Sequence, residues 1–331
     1  MALQRATAYL ATAPLADGAF PTVVARDAAL ARERRTDRTP FGTTVVLGAL
    51  QDLALPGLDG AFARALDYLA REMEPAGVWR YWPRSHEHFG LIPPDLDDTC
   101  CCAAALRAGG RPLPDHDRLL LANRRADGLF YTWLTLRAQP VRSWAYWRLA
   151  LAELRRLPVL LGFWKMTEAA PRDVDAVVNA NALRYFGDRP ETTAVAPYLR
   201  RVLDAREEAT ADRWYLSGPA LYYAIAKAWA AGCASLAPLQ APVAERATAY
   251  ATRADATPTD RALCLAAALR LGASPAALRE PLGHLLAAQA PDGNWPAHAL
   301  YWGGPERYYG WGGPALTTAL AAESLALARK G

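Results

Sequence analysis

The chain has 331 residues, of which 52% are hydrophobic and 21% charged, and its formal net charge is +4. This length suffices for one large domain or two small ones, and so mild a positive charge, without a long basic run, argues against nucleic acid as the partner. Five cysteines without a CxxC pair exclude a disulfide framework and a zinc site, and no apolar stretch is of membrane-spanning length, so we expect a cytoplasmic protein without an integral membrane segment.

Helical periodicity dominates the chain. Ala, Leu, Arg and Glu are abundant and β-branched alternation is scarce, so the sequence predicts an almost entirely α-helical protein. One kind of helical run is rich in small residues and begins near Thr43, Asp98, Asp175, Pro219, Asp260 and Ala315. The other kind is amphipathic and Arg-rich, and it covers residues 58–73, 114–125, 141–161, 194–209, 239–253 and 275–289.

The two kinds of run alternate along the chain. Small residues allow close packing of inner helices, and amphipathic runs suit outer helices that face water on one side, so we predict an all-α (α/α)6 barrel. A Gly-x-aromatic motif recurs at residues 18–20, 77–79, 128–130 and 293–295. No Gly/Ser/Pro-rich linker divides the chain, and residues 1–331 are therefore expected to form a single domain. We expect a cavity at the end of the barrel where the inner helices begin.

Three carboxylates lie directly before the second inner helix, at Asp95, Asp97 and Asp98. Ionising one of three neighbouring carboxylates penalises the next, so such a cluster tends to retain a proton at neutral pH. Helix capping accounts for one or two Asp residues here, most simply Asp97 and Asp98, but not for three. Proton donation is therefore the first chemistry that the cluster indicates.

Aromatic residues are unusual in kind, with 11 Trp and 14 Tyr against 7 Phe. Aromatic faces attract cations by about 0.5–2 kcal/mol per contact, which suits a site that must stabilise positive charge. His86 is a candidate to orient an Asp proton, although a surface-loop histidine is the commoner case. The candidate cavity residues are Trp79, Tyr81, Trp82, His86, Trp133, Tyr222, Trp302, Tyr309 and Trp311.

Several polar residues admit either a site role or a structural one. Asn179 and Asn181 lie on the third inner helix, where each is a candidate for the cavity or for a satisfied core amide. A set of basic residues suits a diphosphate tail, but for any single one a surface position is the favoured interpretation. This set comprises Arg80, Arg84, Lys165, Arg184 and Arg307.

Two motifs resemble those of a known family. The segment 95–99, Asp-Leu-Asp-Asp-Thr, resembles the DxDD(T) signature of class II terpene cyclases, and residues 289–295 resemble their QW repeat, Q-x3-G-x-W. The resemblance implies an α/α barrel in which the middle residue, Asp97, is the general acid that Asp95 and Asp98 tune. It also implies protonation of a linear isoprenoid, followed by cyclisation of the carbocation and then by deprotonation or water capture.

The resemblance also bears on cofactors and partners. No metal is implied, except Mg²⁺ if the substrate is a diphosphate. Class II cyclases usually place the active site between two barrels, and this chain has room for one. Either the site is rebuilt inside one barrel, a homo-oligomer or partner chain completes it, or cyclase activity is absent.

Two other functions remain open at this stage, a non-catalytic isoprenoid-binding or protein-interaction barrel and a glycosidase-like (α/α)6 enzyme. Class I terpene synthases, prenyltransferase β-subunits and lanthionine cyclases are disfavoured, because their metal-binding motifs have no convincing counterpart in the sequence.

Overall fold

The computed structural model describes residues 1–137 and 142–330. Helices dominate it, with a few short strands between them. In chain order the elements are α1 (Ala2–Thr12), β1 (Pro21–Ala25), β2 (Arg35–Arg38), α2 (Pro40–Leu50), α3 (Asp59–Glu72), α4 (Leu96–Ala108), α5 (Asp117–Leu121), α6 (Trp144–Leu154), α7 (Leu157–Met166), α8 (Ala176–Phe186), α9 (Val195–Asp204), α10 (Gly218–Ala230), α11 (Gln240–Ala251), α12 (Pro258–Arg270), α13 (Arg279–Ala287), β3 (Ala299–Gly303), β4 (Tyr309–Gly312) and α14 (Pro314–Ala328).

Six helices form a closed inner ring. Helices α2, α4, α8, α10, α12 and α14 contact one another in that order, and α14 packs back against α2. Each begins within three residues of its predicted start. The small side chains explain the close packing, since residues 262–268 of α12 are all buried. The predicted (α/α)6 barrel is confirmed.

The outer helices differ from the prediction in two places. Helix α1 packs on α14 and α3, although residues 2–12 were not among the predicted outer runs. Its buried residues Leu3, Ala6 and Leu10 have the spacing of an apolar helical stripe, so its omission was wrong. The run 141–161 was assigned to an outer helix, but its described part falls in α6 and in α7, which reaches the mouth of the cavity.

A four-stranded antiparallel sheet, in the order β2-β1-β4-β3, corrects the expectation of an almost entirely helical chain. Strand β1 pairs with β4, with Val24 opposite Trp311. The sheet therefore joins the segment before α2 to the segment before α14. It forms a wall on the same side of the barrel as the start of α4.

The Gly-x-aromatic motifs share one tertiary contact. Each glycine has a positive φ, between 76° and 94°, a backbone conformation that L side chains rarely adopt. The backbone N–H of each aromatic residue then donates to a side chain of a following inner helix. The pairs are Phe20 with Thr43 at 3.1 Å, Trp79 with Thr99 at 3.2 Å, Phe130 with Asn179 at 2.9 Å and Trp295 with Thr318 at 3.1 Å.

The two tryptophans of this set are equivalent in a second respect. The indole N–H of Trp79 donates to the carbonyl of Leu69, and that of Trp295 donates to the carbonyl of Leu285, each ten residues earlier. Gln289 adds a link to α1, because its amide donates to the carbonyl of Ala2 at 3.0 Å. These motifs therefore join neighbouring repeats.

Within the described part of the chain, no helix combines the length and apolarity needed to cross a bilayer.

Candidate active site

A cavity of about 630 Å³ lies at the end of the inner ring where α4 begins. Its volume falls within the range usual for sites that enclose a small molecule. The lining is mainly aromatic and aliphatic, with the three carboxylates of residues 95–98 among the polar groups.

All three carboxylates are buried, and they differ in their contacts. Asp95 is the N-cap of α4, since its Oδ1 accepts a hydrogen bond from the Asp98 backbone N–H at 2.7 Å. The expectation that Asp97 and Asp98 serve as caps was therefore wrong. Their side chains are free of that role and belong to the first turn of the helix.

The carboxyl groups of Asp95 and Asp98 are close neighbours, and each influences the pKa of the other. Burial raises the pKa of Asp95 to about 7, against the opposing effect of its hydrogen bonds from Asp98. Burial and the neighbouring Asp95 raise the pKa of Asp98 well above its usual value. Asp98 Oδ2 is buried without a hydrogen-bond partner among the described residues. Both shifts favour the protonated form of the pair, which is the direction expected for neighbouring buried carboxyl groups.

Asp97 has two polar partners of its own. Asn181 Nδ2 donates to Oδ1 at 2.7 Å, and the Tyr215 hydroxyl lies 2.6 Å from Oδ2. Burial raises the pKa of Asp97, while the hydrogen bonds from Tyr215 and Asn181 lower it. Of the three acids, Asp97 is thus the one whose carboxylate accepts hydrogen bonds from side chains outside α4, namely those of Asn181 and Tyr215.

Tyr215 was missed at the sequence level, and its position depends on another buried acid. Asp212 Oδ1 accepts from the backbone N–H groups of Trp214 and Tyr215, and its Oδ2 accepts from the N–H of Val177 at the start of α8. This carboxylate therefore holds the turn that carries Tyr215 against α8. The Trp214-Tyr215 pair just before an inner helix resembles the aromatics of residues 79–82, and that pattern is the signal that could have identified it.

A wall of aromatic rings lies around the acids. Tyr301 stacks on Trp311 with ring centroids 6.3 Å apart, and it meets Phe41 edge-on at 5.3 Å. Tyr81 lies edge-on to Trp311 at 5.7 Å. The Trp311 indole donates to Asp37 Oδ2 at 3.1 Å, which fixes its ring. Tyr301 of β3 and Trp311 of β4 thus supply aromatic faces suited to stabilising a cation.

A second group of rings lines the cavity around Trp133. Phe163 of α7 meets Trp133 edge-on at 5.2 Å, and Trp214 does so at 5.4 Å. Sequence analysis did not select Phe163 or Trp214, nor Phe41 and Tyr301 of the first wall. Phe163 lies on α7 and Tyr301 on β3, whereas Phe41 lies in the first turn of α2 and Trp214 lies just before α10.

Seven of the nine predicted cavity residues line the cavity, and two do not. Trp79 is fully buried in the repeat contact described above, and Tyr222 directs its hydroxyl to Glu208 at 3.2 Å. The predictions for these two residues were wrong, because one belongs to a structural motif and the other points away from the ring axis. The seven that line it are Tyr81, Trp82, His86, Trp133, Trp302, Tyr309 and Trp311.

The other polar candidates separate clearly. His86 stacks on Trp82 and lies 3.4 Å from Asp37, so it contacts a different acid from the one proposed for it. Asn181 is the site amide, whereas Asn179 bonds the backbone of Phe130 and is structural. None of the basic residues proposed for a diphosphate lines the cavity. These residues are Arg80, Arg84, Lys165, Arg184 and Arg307. Among the described lining residues, Arg35 is the one arginine and there is no lysine.

The carboxyl pair predicts an unusual dependence of stability on pH. The pKa of Asp95 is about 7 in the folded protein, above its value in the unfolded chain. As the pH rises, Asp95 therefore loses its proton at lower pH in the unfolded chain than in the folded protein. The free energy of unfolding should therefore fall by at least about 1.4 kcal/mol between about pH 4 and about pH 7. Urea unfolding at several pH values measures this.

The matched variant for that measurement is Asp95→Asn, because Asn also serves well as an N-cap. It should flatten the pH dependence, whereas Asp204→Asn, on the exposed face of α9, should leave it as in the wild type. Equal slopes for the wild type and Asp95→Asn would contradict a proton held by this pair.

The comparison with solved structures identifies similar folds. Type II terpene cyclase MstE from Scytonema, in its apo form, has a TM-score of 0.70 at 19% identity, over 99% of this chain and 98% of that chain. A variant of MstE in complex with its substrate geranylgeranyl dihydroxybenzoate has a TM-score of 0.69 at 19% identity, over 99% and 97%. ent-Copalyl diphosphate synthase from Streptomyces platensis has a TM-score of 0.52 at 18% identity, over 88% of this chain and 50% of that one.

No family profile and no curated protein matches the sequence. At sequence identities of 18–19%, this structural similarity establishes the fold alone.

Proposed function

We propose that this chain is a class II-like terpene cyclase in which Asp97 is the general acid. The observation that carries the proposal is the position of Asp97: a buried carboxyl, held by Tyr215 and Asn181, at the wall of an aromatic cavity. A carboxylic acid that protonates an alkene must be dry, oriented and protonated before reaction. The likeness to a type II terpene cyclase of matching length supports the same interpretation.

The first step transfers the Asp97 proton to a terminal carbon–carbon double bond. The O–H bond breaks, the π electrons of the alkene form the new C–H bond, and a carbocation remains on the more substituted carbon. Tyr215 and Asn181 stabilise the carboxylate that is left, because both can donate hydrogen bonds to it. The remaining double bonds of the substrate attack the cation in turn. A C–H bond next to the last cation then breaks, its electrons form a double bond and the proton passes to water, so the product is an isomer of the substrate.

Aromatic faces serve this chemistry because they stabilise a cation without attacking it. Tyr301 and Trp311 of the sheet and Trp133 beside α7 all line the cavity. A polar, open cleft would favour the glycosidase alternative. The largely apolar lining instead supports an isoprenoid substrate.

The site is proposed to function within one barrel. The sheet and helix α7 supply the wall that a second barrel would otherwise provide, since Trp302, Tyr309 and Phe163 all line the cavity. The structural match extends over 98% of the MstE chain, which supports a cyclase whose active site lies within one barrel.

The head group of the substrate is proposed to be uncharged or singly charged. The described lining contains one arginine, Arg35, no lysine, and five carboxyl-bearing residues, Asp37, Glu87, Asp95, Asp97 and Asp98. A diphosphate carries several negative charges and is usually bound by clustered Arg or Lys. We therefore expect prenylated aromatic or neutral prenyl compounds to react better than free prenyl diphosphates.

Incubation in deuterated water tests the proposed reaction. Farnesyl and geranylgeranyl diphosphates, squalene and prenylated dihydroxybenzoates would be supplied separately and the products analysed by mass spectrometry. A protonation-initiated cyclisation ending in proton loss incorporates one deuterium into an otherwise isomeric product. Release of diphosphate without such incorporation, or no turnover of any isoprenoid, would refute the proposal.

Tyr215→Phe tests the environment of the acid. Loss of the hydroxyl leaves Asp97 Oδ2 without this donor, which raises the pKa of Asp97 and weakens it as an acid. We expect turnover to fall by about 10- to 100-fold, in line with the loss of a buried hydrogen bond to a charged group. The fall of activity with rising pH should move to higher pH. Tyr250→Phe on outer helix α11 is the matched control, and an unmoved pH profile in Tyr215→Phe would argue against this role.

A further inference from the structure

Helices α6 and α7 carry an apolar surface at the mouth of the cavity. Along α6, Trp144, Leu151 and Leu154 recur at spacings of seven and three residues, which places them on one face. All three are exposed, Trp144 by 74%. Leu157 and Leu161 continue the surface on α7, and Leu161 is 58% exposed. We call these five residues, together with Met166, the α6–α7 patch.

The patch is continuous with the cavity. Val159 and Met166 are exposed at the surface and also line the cavity, and Phe163 on the same helix faces Trp133 inside. An apolar molecule lying against the patch would thus reach the cavity across apolar side chains. Exposed apolar surfaces of this extent mark interaction sites in proteins that fold stably.

The charged residues within 142–167 are mostly basic. Residues 142–167 contain Arg142, Arg148, Arg155, Arg156 and Lys165, and their one acidic residue is Glu153. Glu153 is buried and paired with Arg80, so it does not offset the basic charges at the surface. Four of the five basic residues are exposed and Arg156 is partly so.

We propose that the α6–α7 patch docks on the surface of an anionic lipid bilayer. A helix pair with apolar residues outward and basic residues beside them lies in the interfacial plane of such a bilayer, with Trp at the headgroup level. Each Lys or Arg near an anionic surface strengthens binding by about fivefold. A second copy of this chain fits poorly, because a symmetric contact would oppose the basic rims of the two patches.

Docking on a bilayer is a property separate from cyclisation. Only the advantage that docking gives, the direct entry of an isoprenoid substrate, rests on the proposed function. Linear isoprenoids partition into bilayers, and a cavity that opens on a bilayer-facing patch lets such a substrate enter without crossing water. The docking itself needs no substrate, so it is tested separately.

Co-sedimentation with vesicles tests the docking. The wild-type protein is expected to bind vesicles of phosphatidylcholine with about one third phosphatidylglycerol at least tenfold more strongly than vesicles of phosphatidylcholine alone, and raising the salt from about 0.1 M to about 1 M should weaken binding. The double variant Leu151→Glu/Leu161→Glu should bind at least tenfold more weakly than the wild type. Leu286→Glu, at an exposed apolar position on α13 outside the patch, is the control and should bind as the wild type does.

Two outcomes would overturn the proposal. One is vesicle binding that is equally strong with and without anionic lipid and that the double variant does not weaken. The other is a wild-type oligomer, seen by light scattering, that the double variant converts to monomer, because the patch would then be an interface between copies. Vesicle binding by a protein that turns over no isoprenoid would refute the proposed function and leave the docking intact, while turnover without vesicle binding would do the reverse.

Discussion

Asp97→Asn should lower turnover of the isoprenoid substrate by about 10³-fold or more, while the protein folds as before. Asn is nearly isosteric with Asp but has no acidic proton to give to an alkene. The buried position does not require a charge, because burial raises the pKa of Asp97 in the folded protein. Product formation would be measured by mass spectrometry, and folding by circular dichroism and urea unfolding.

Two further variants make the result specific to this acid. Asp98→Asn disturbs the carboxyl pair with Asp95 and should slow turnover less than Asp97→Asn does. Asp204→Asn, exposed on α9, should keep wild-type turnover. If Asp97→Asn retained more than about a tenth of the activity while Asp98→Asn abolished it, the acid would be Asp98, whose Oδ2 is buried without a partner among the described residues.

Trp295→Ala should lower the free energy of unfolding by about 3–5 kcal/mol. The Trp295 side chain is fully buried, its indole donates to the Leu285 carbonyl at 2.6 Å, and its backbone N–H donates to Thr318 of α14. Truncation leaves a large cavity and removes the indole donor from the Leu285 carbonyl. Urea unfolding followed by intrinsic fluorescence and circular dichroism measures the loss.

Trp79→Ala should have a similar cost, because Trp79 makes the equivalent contacts with Leu69 and Thr99. Trp144→Ala provides the contrast, since this exposed side chain should contribute no more than about 0.5 kcal/mol to stability. A loss below about 1 kcal/mol for both buried tryptophans would mean that the motifs do not hold the repeats together.

The inner ring could be predicted because its signal is local. Runs such as residues 262–268 combine helical propensity with side chains small enough for close packing, and both properties are visible within one turn or two. The carboxylate cluster was likewise visible as three acids within four residues. Its internal arrangement was not, since Asp95 rather than Asp97 turned out to cap α4.

The rest of the site depends on contacts between distant segments. Tyr215 meets Asp97 from 118 positions away, and Val24 meets Trp311 through a strand pairing that no local pattern encodes. Trp79 and Tyr81 lie two residues apart, yet one is buried in a repeat contact and the other lines the cavity. Composition predicted an aromatic cavity, but the backbone decides which rings enter it.

The pairing of β1 with β4 has a consequence for how the protein folds during synthesis. The repeat contacts of Phe20 with Thr43 and of Trp79 with Thr99 span about twenty residues, and they can form soon after those residues leave the ribosome. The pairing of Val24 with Trp311, and the packing of α14 on α2, must wait for almost the whole chain. Until then one edge of β1 and the apolar face of α2 that α14 covers stay exposed, and such surfaces favour aggregation of a nascent chain.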